Sequence, residues 1–221
     1  MAIPGRRVRV PDAPARRRRW SATNPGNVAM RGEVERALLH ATAAELTGSR
    51  AILDLGCGTG WWLERLARHG VAVERLHGLD RAPERVAAAH ARVPGADVRE
   101  GDARRLPWND GTFGVIYLLL VLSSLESAAA VRATLAEARR VLRPDGVVAV
   151  WEPRVPTPWN RRTRWIRRAA LRAALGREAE SRALTLLPPL ARRLGSRTVR
   201  LYPALTRRGL LCTHRLWIWR C

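Results

Sequence analysis

From residue 24 onward the chain alternates short apolar runs with amphipathic stretches. Ala51-Ile52-Leu53-Asp54-Leu55 suits a buried strand broken only by Asp54, and a helical pattern over 61–69 follows it across a glycine-rich turn. Ahead of that strand, the turn Asn24-Pro25-Gly26-Asn27 leads into a helix predicted over 28–46, with Val34, Leu38, Leu39 and Leu46 on one side. Downstream the order repeats. A second strand ends at 76–80 and Pro83 opens a helix to His90; 97–101 is a short third strand; 111–119 supplies a fourth, followed by a helix over 127–142; after the turn Arg143-Pro144-Asp145-Gly146, 147–151 forms a fifth. Beyond Trp151 the chain becomes proline-rich and then basic and helical over 161–175. Pro188 and Pro189 open a short helix to Leu194, 198–201 reads as a sixth strand, and 211–220 alternates as a seventh. Strands interleaved with helices predict an α/β domain.

The turn after the first strand carries glycine at 56, 58 and 60. Glycine tolerates positive φ and leaves no Cβ between backbone and ligand, while the following helix offers unpaired N–H groups. A dinucleotide fingerprint needs Gly-x-Gly-x-x-Gly, and position 61 is Trp, so that spacing fails. Asp54 beside the turn repels a phosphate and welcomes an ammonium. The stretch resembles motif I of class I S-adenosylmethionine-dependent methyltransferases, apolar-apolar-Asp-apolar-Gly-x-Gly-x-Gly, and matches it at every position. Gly101-Asp102-Ala103-Arg104-Arg105-Leu106-Pro107-Trp108 is similar to that family's Gly-Asp-Ala-x-x-Leu-Pro-aromatic segment, and "EARRVLRPDG" to its approach to strand five.

The resemblance covers roughly residues 50 to 152 and is nearest the ubiquinone/menaquinone-type branch. It implies a Rossmann-like fold, a seven-stranded, mostly parallel sheet with helices on both faces and an antiparallel last strand. It also implies S-adenosyl-L-methionine as cofactor, leaving as S-adenosyl-L-homocysteine. The implied cofactor site takes Asp54, Gly56, Cys57, Gly58 and Gly60 at the turn, and Asp80 with Arg81 at the end of strand two, where Asp80 meets both ribose hydroxyls. Asp102 accepts the adenine amino group, the Ala103 N–H faces the ring, and Leu119 and Asn24 complete the set. Asn24 and Asn27 equally suit helix capping, and Asp80 a cap ahead of Pro83.

Composition narrows partners less than the net charge of +21 suggests, because all 40 basic residues are arginine, a bias expected of GC-rich coding. A positive field favours anionic partners, yet no nucleic-acid recognition motif accompanies it. Residues 1–20 hold seven arginines and little to bury, predicting a disordered basic arm that is either a solvated tail or an electrostatic arm; 21–221 read as a single methyltransferase domain, with 152–178 as substrate lid. The arginine-rich start lacks an apolar stretch, no run approaches a membrane span, and Cys57, Cys212 and Cys221 have no paired or metal-ligand spacing, which together predict a cytoplasmic protein with reduced thiols and no metal.

Methyl transfer is an in-line displacement that positioning alone can accelerate strongly; a hydroxyl acceptor also profits from a base. Glu152 and Tyr117 are the candidate catalytic residues, Trp159 and Arg154 the candidate substrate contacts, and a Glu152–Arg154 salt bridge is the structural alternative. The predicted function is methylation of a small molecule, at oxygen, by a monomer or homodimer. An RNA methyltransferase using the arginine arm and lid, and a non-catalytic cofactor-binding partner, are the alternatives.

Overall fold

A computed structural model describes residues 23–155 and 163–221. Two helices, α1 (Pro25–Ala41) and α2 (Ala43–Leu46), precede β1 (Ala51–Leu55); then come α3 (Trp61–Arg68), β2 (Leu76–Asp80), α4 (Pro83–Arg92), β3 (Asp97–Glu100), β4 (Phe113–Leu119), α5 (Ala128–Val141) and β5 (Leu142–Pro153). The chain closes with α6 (Arg168–Leu175), β6 (Glu180–Leu186), α7 (Pro188–Leu194), α8 (Arg197–Thr206) and β7 (Cys212–Arg220). The strands form one sheet in the order β3-β2-β1-β4-β5-β7-β6. Pairings from β3 to β5 are parallel, and β7 runs antiparallel to both β5 and β6. The expected mostly parallel, seven-stranded sheet with an antiparallel last strand is therefore present.

Side chains alternate across the sheet because successive Cβ atoms point to opposite faces. Ile52, Val115, Tyr117 and Ala149 face α1, α3 and α4, among Leu38, Trp62 and Leu66. Leu53, Leu55, Ile116, Leu118 and Val148 face the layer holding Leu135 and Ala138 of α5 and Leu171 of α6. A satellite cluster of Met30, Leu186, Ala191 and Tyr202 ties α7 and α8 to α1 and β6.

Four elements differ from the sequence expectation. The helix predicted over 28–46 breaks at Thr42, whose hydroxyl donates to Leu38 O (2.8 Å) and meets Tyr117 Oη at 2.7 Å, pulling the chain toward the sheet. Residues 143–146 are no free turn: the register jumps from Phe113↔Leu142 to Val115↔Val147, so they bulge within a longer strand five. The sixth strand is 180–186, while 198–201 belong to α8. Thr198 and Tyr202, one helical turn apart, are both buried, so tertiary packing overrides the β-branched character of Thr198 and Val199. The predicted basic helix begins only at Arg168; residues 161 and 162, the proposed arm to residue 20, and part of the proposed lid lie outside the described residues.

Candidate functional site

The sheet reverses its winding between β1 and β4, and the crevice outside the carboxyl ends of strands at such a point is where α/β folds bind ligands. The glycine turn closes one wall. Gly56 and Cys57 both donate to Leu79 O (2.7 and 3.0 Å), which straps the turn to β2, and Gly60 donates to Cys57 O (3.0 Å). The three glycines take φ of +79°, +54° and +74°. Their surroundings differ. A Cβ on Gly56 would sit 2.4 Å from Val121 Cγ2, and one on Gly60 3.1 Å from Ala89, whereas a Cβ on Gly58 would meet nothing within 4 Å. Gly56 and Gly60 thus serve packing, and Gly58 leaves open space over the turn.

Asp80, at the end of β2, is buried and grips that turn: Oδ2 accepts from Gly58 N (2.9 Å) and Oδ1 from Ala82 N (3.0 Å), with Arg85 3.7 Å away. Each carboxylate oxygen has a second lone pair to offer. Asp54 is buried in β1, and burial, then the Asp80 charge, push it up to about 7. Burial also raises the Cys57 thiol, so it is no thiolate.

The opposite wall is the exit of β4. Leu120 has φ +62°, a strained conformation for a non-glycine residue, and its N–H donates to Trp151 O (2.9 Å). The following turn, Leu122–Ser124, is held by Glu152: Oε1 accepts from Leu122 N (2.6 Å) and Oε2 from Ser123 N (3.3 Å). Glu152 is fully buried, and burial raises its carboxyl to about 7 although these donors pull it down.

Residues 53–150 match a family model described as a methyltransferase domain. Class I methyltransferase fold and motif chemistry coincide with that match. Residues 53–150 resemble class I S-adenosylmethionine-dependent methyltransferase domains. The chain is 31% identical over 114 residues to the demethylmenaquinone methyltransferase of Chlorobaculum tepidum, covering 51% of this chain and 45% of the relative. It spans between 32% and 52% of the length of the first curated relatives it matches. Among solved structures it resembles the [4+2]-cyclase SpnF (TM-score 0.62, 20% identity, 85% of this chain and 80% of that one). It also resembles geranyl diphosphate C-methyltransferase from Streptomyces coelicolor, solved with Mg2+, geranyl diphosphate and S-adenosyl-L-homocysteine (TM-score 0.60, 14% identity, 84% and 77%). These two likenesses concern the fold, which serves different chemistries.

Within the matched segment, Asp102 and Ala103 follow β3 near the surface. Asp102 is bidentate to Arg104 (2.9 and 2.5 Å), whose hydrogen bonds hold its carboxyl below the usual range. Arg81 is exposed directly after Asp80, and Leu119 is half-buried at the end of β4. Asn24 caps α1, Oδ1 accepting from Gly26 N (2.9 Å) and Asn27 N (3.4 Å). Tyr117 is fully buried against Trp62, ring centroids 5.2 Å apart, and burial raises its phenol. Arg154 donates to Gly209 O (2.9 Å), and Glu152 takes backbone donors in place of the alternative Arg154 bridge. Trp159 lies outside the described residues. Among the described residues no cluster of His, Cys, Asp and Glu could hold a metal, and no helix is long and apolar enough to cross a membrane.

Sequence reasoning missed His214. It sits on β7 opposite Pro153, its ring 5.0 Å from Trp151 and tilted 31°. Thr213 Oγ1 donates to Thr185 O (3.2 Å) and lies 2.9 Å from His214 Nδ1. The hydroxyl has one proton for these two acceptors; when it goes to Thr185 O, His214 donates from Nδ1 and Nε2 is the acceptor nitrogen. Burial lowers His214 to about 4, so it is neutral. The indole N–H of Trp151 is buried and has no partner among the described residues. Only a pairing of distant strands brings these rings together; no spacing in the sequence signals it.

Proposed function

We propose that the protein transfers a methyl group from S-adenosyl-L-methionine to a hydroxyl of a small, planar acceptor. The observation carrying this reading is the open space over Gly58 beside the buried Asp54 and Asp80 carboxylates. A group with an ammonium and ribose hydroxyls but no phosphate fits that donor set. The cofactor supplies an electrophilic methyl on a sulfonium.

Asp80 would accept from the ribose hydroxyls with its free lone pairs while its remaining ones hold Gly58 and Ala82. Gly56, Cys57, Gly58 and Gly60 would give the cofactor backbone rather than side chains to lie on, and Asp54 would face its ammonium, relieving the Asp54–Asp80 repulsion. Arg81, Leu119 and Ala103 would line the remaining length. Asp102 would take the adenine amino group after loosening Arg104, a solvent-screened surface pair that is readily parted. Asn24 keeps its capping role.

On the acceptor side, the Trp151–His214 pair would stack a planar ring, and His214 Nε2 would accept the hydroxyl proton in a hydrogen bond, orienting the oxygen for in-line attack. Glu152 would act as a positioning residue through the Leu122–Ser124 turn, and Tyr117 as a core residue. Arg154 would fix the rim of the acceptor site.

Calorimetric titration with S-adenosyl-L-methionine and S-adenosyl-L-homocysteine tests the reading. Both bind the wild type, and Asp80→Ala loses charge-assisted hydrogen bonds worth about 1.5–3 kcal/mol each. Unchanged affinity in a folded Asp80→Ala protein removes Asp80 from the site, and no binding by the wild type sinks the proposal.

A further inference from the structure

The acidic residues are spread unevenly: after Glu180 the chain has nine arginines and not one Asp or Glu. Coding bias explains arginine in place of lysine, but not this one-sided segregation. Arg193, Arg197, Arg200, Arg207 and Arg208 are exposed, and among the described residues none pairs with a carboxylate. Elsewhere exposed arginines do find acids, as Arg68 finds Glu64 and Arg50 finds Asp145.

Leucines are mixed into this cationic surface. Leu210 is 79% exposed, Leu201 43% and Leu211 40%. On α8, residues 197, 200, 201 and 204 follow helical spacing along the outer side, while Thr198 and Tyr202 are buried on the inner one. The adjoining turn 207–211 is held by hydrogen bonds, Gly209 N to Thr206 O (2.8 Å) and Cys212 N to Gly209 O (3.2 Å), and it presents Arg207, Arg208 and Leu210 together.

Its position gives this surface a role. Because β7 is antiparallel to β5, its first residues lie at the carboxyl edge of the parallel strands, with His214 opposite Pro153. Arg154, leaving that edge, donates to Gly209 O within the turn (2.9 Å). The cationic, leucine-bearing turn thus shares an edge with the glycine turn and the Trp151–His214 pair.

We infer that the outer side of α8 and the 207–211 turn dock the protein on an anionic lipid bilayer, with the cleft edge toward the lipid. Unpaired arginines supply attraction to acidic headgroups, and protruding aliphatic side chains enter the acyl boundary. A nucleic-acid surface fits less well, since such grooves pair cations with aromatic rings on which bases stack, and the large apolar residues exposed here are all leucine. The inference is independent of the proposed methyl acceptor, because docking is measured without turnover.

The test is co-sedimentation of the full chain with phosphatidylcholine vesicles and with the same vesicles carrying phosphatidylglycerol, at low and high salt. Binding is expected to the anionic vesicles only and to weaken with salt. Arg207→Gln with Arg208→Gln lowers partitioning about thirtyfold, and Leu210→Ser about tenfold with its salt dependence retained; all three positions are exposed, so circular dichroism should report an unchanged fold. The inference is overturned by equal binding to neutral vesicles, by no binding, or by vesicle binding that only the arginines of residues 6–19 control. An RNA oligonucleotide bound at low salt, weakened by the arginine changes but not by Leu210→Ser, with vesicles left unbound, would reassign the surface to nucleic acid.

Discussion

Gly56 and Gly58 share a turn, a motif and a positive φ, yet they do different work. At Gly56 an added Cβ collides with Val121, so Gly56→Ala adds overpacking to backbone strain and is expected to cost about 2–4 kcal/mol in urea unfolding. At Gly58 nothing stands in the way, and Gly58→Ala costs only the left-handed conformation, about 1–2 kcal/mol. Its methyl group would occupy the space over the turn, so S-adenosyl-L-homocysteine affinity should fall further than stability does. Equal affinity in Gly58→Ala and wild type would show that no ligand lies over that residue. The sequence pattern identified all three glycines as one motif; which of them faces a neighbour and which faces open space depends on Val121 and Ala89, far along the chain. At the same scale, Tyr117 and Glu152 looked equally suited to catalysis by sequence, and burial distinguishes neither as a solvent-facing base. Their partners decide: a threonine hydroxyl for one, two backbone N–H groups for the other.

At the scale of elements, β5 holds the 122–124 turn through a carboxylate whose acidity the fold weakens. Glu152 rises from 4.5 and Asp54 from 3.8, each to about 7. Between the unfolded values and about 7 the native state binds more protons than the unfolded chain, so these groups make stability fall as pH rises through that window and level off above it. Glu152→Gln keeps an oxygen for Leu122 N–H and cannot ionise. Urea midpoints measured from pH 4.5 to 8 should therefore decline less steeply in Glu152→Gln than in wild type; an identical slope would place the titration elsewhere. Element existence was readable wherever apolar periodicity was strong, from β1 through α5. It failed at 180–186 and 198–201, where short segments of mixed propensity took their state from neighbours: β7 recruited the first as a strand, and α1, α7 and β6 gave the second a helical seat.

For the whole molecule, the charge of +21 acts as a self-repulsion that no local contact cancels. Many ion pairs are exposed and contribute little each, so screening should relieve more repulsion than it removes attraction. The thermal midpoint is expected to rise between low and physiological ionic strength. A fall would mean that the arginine–carboxylate pairs outweigh the net charge. Segregation matters more than the total: acids cluster from residue 33 to 180 and leave the closing elements cationic, at the edge shared with the candidate cleft.

The sequence by itself determined the α/β alternation, the glycine turn, the acids at the ends of β1 and β2, and the resemblance of residues 53–150 to a methyltransferase domain, because these depend on local periodicity and on residue types at short spacing. Only the tertiary structure decided that Trp151 faces His214, that Glu152 serves backbone N–H groups, and that the Arg207–Leu211 turn adjoins the cleft edge. Each of these joins residues from separate strands or helices, and such contacts are fixed by sheet order and direction, which no short stretch of sequence encodes.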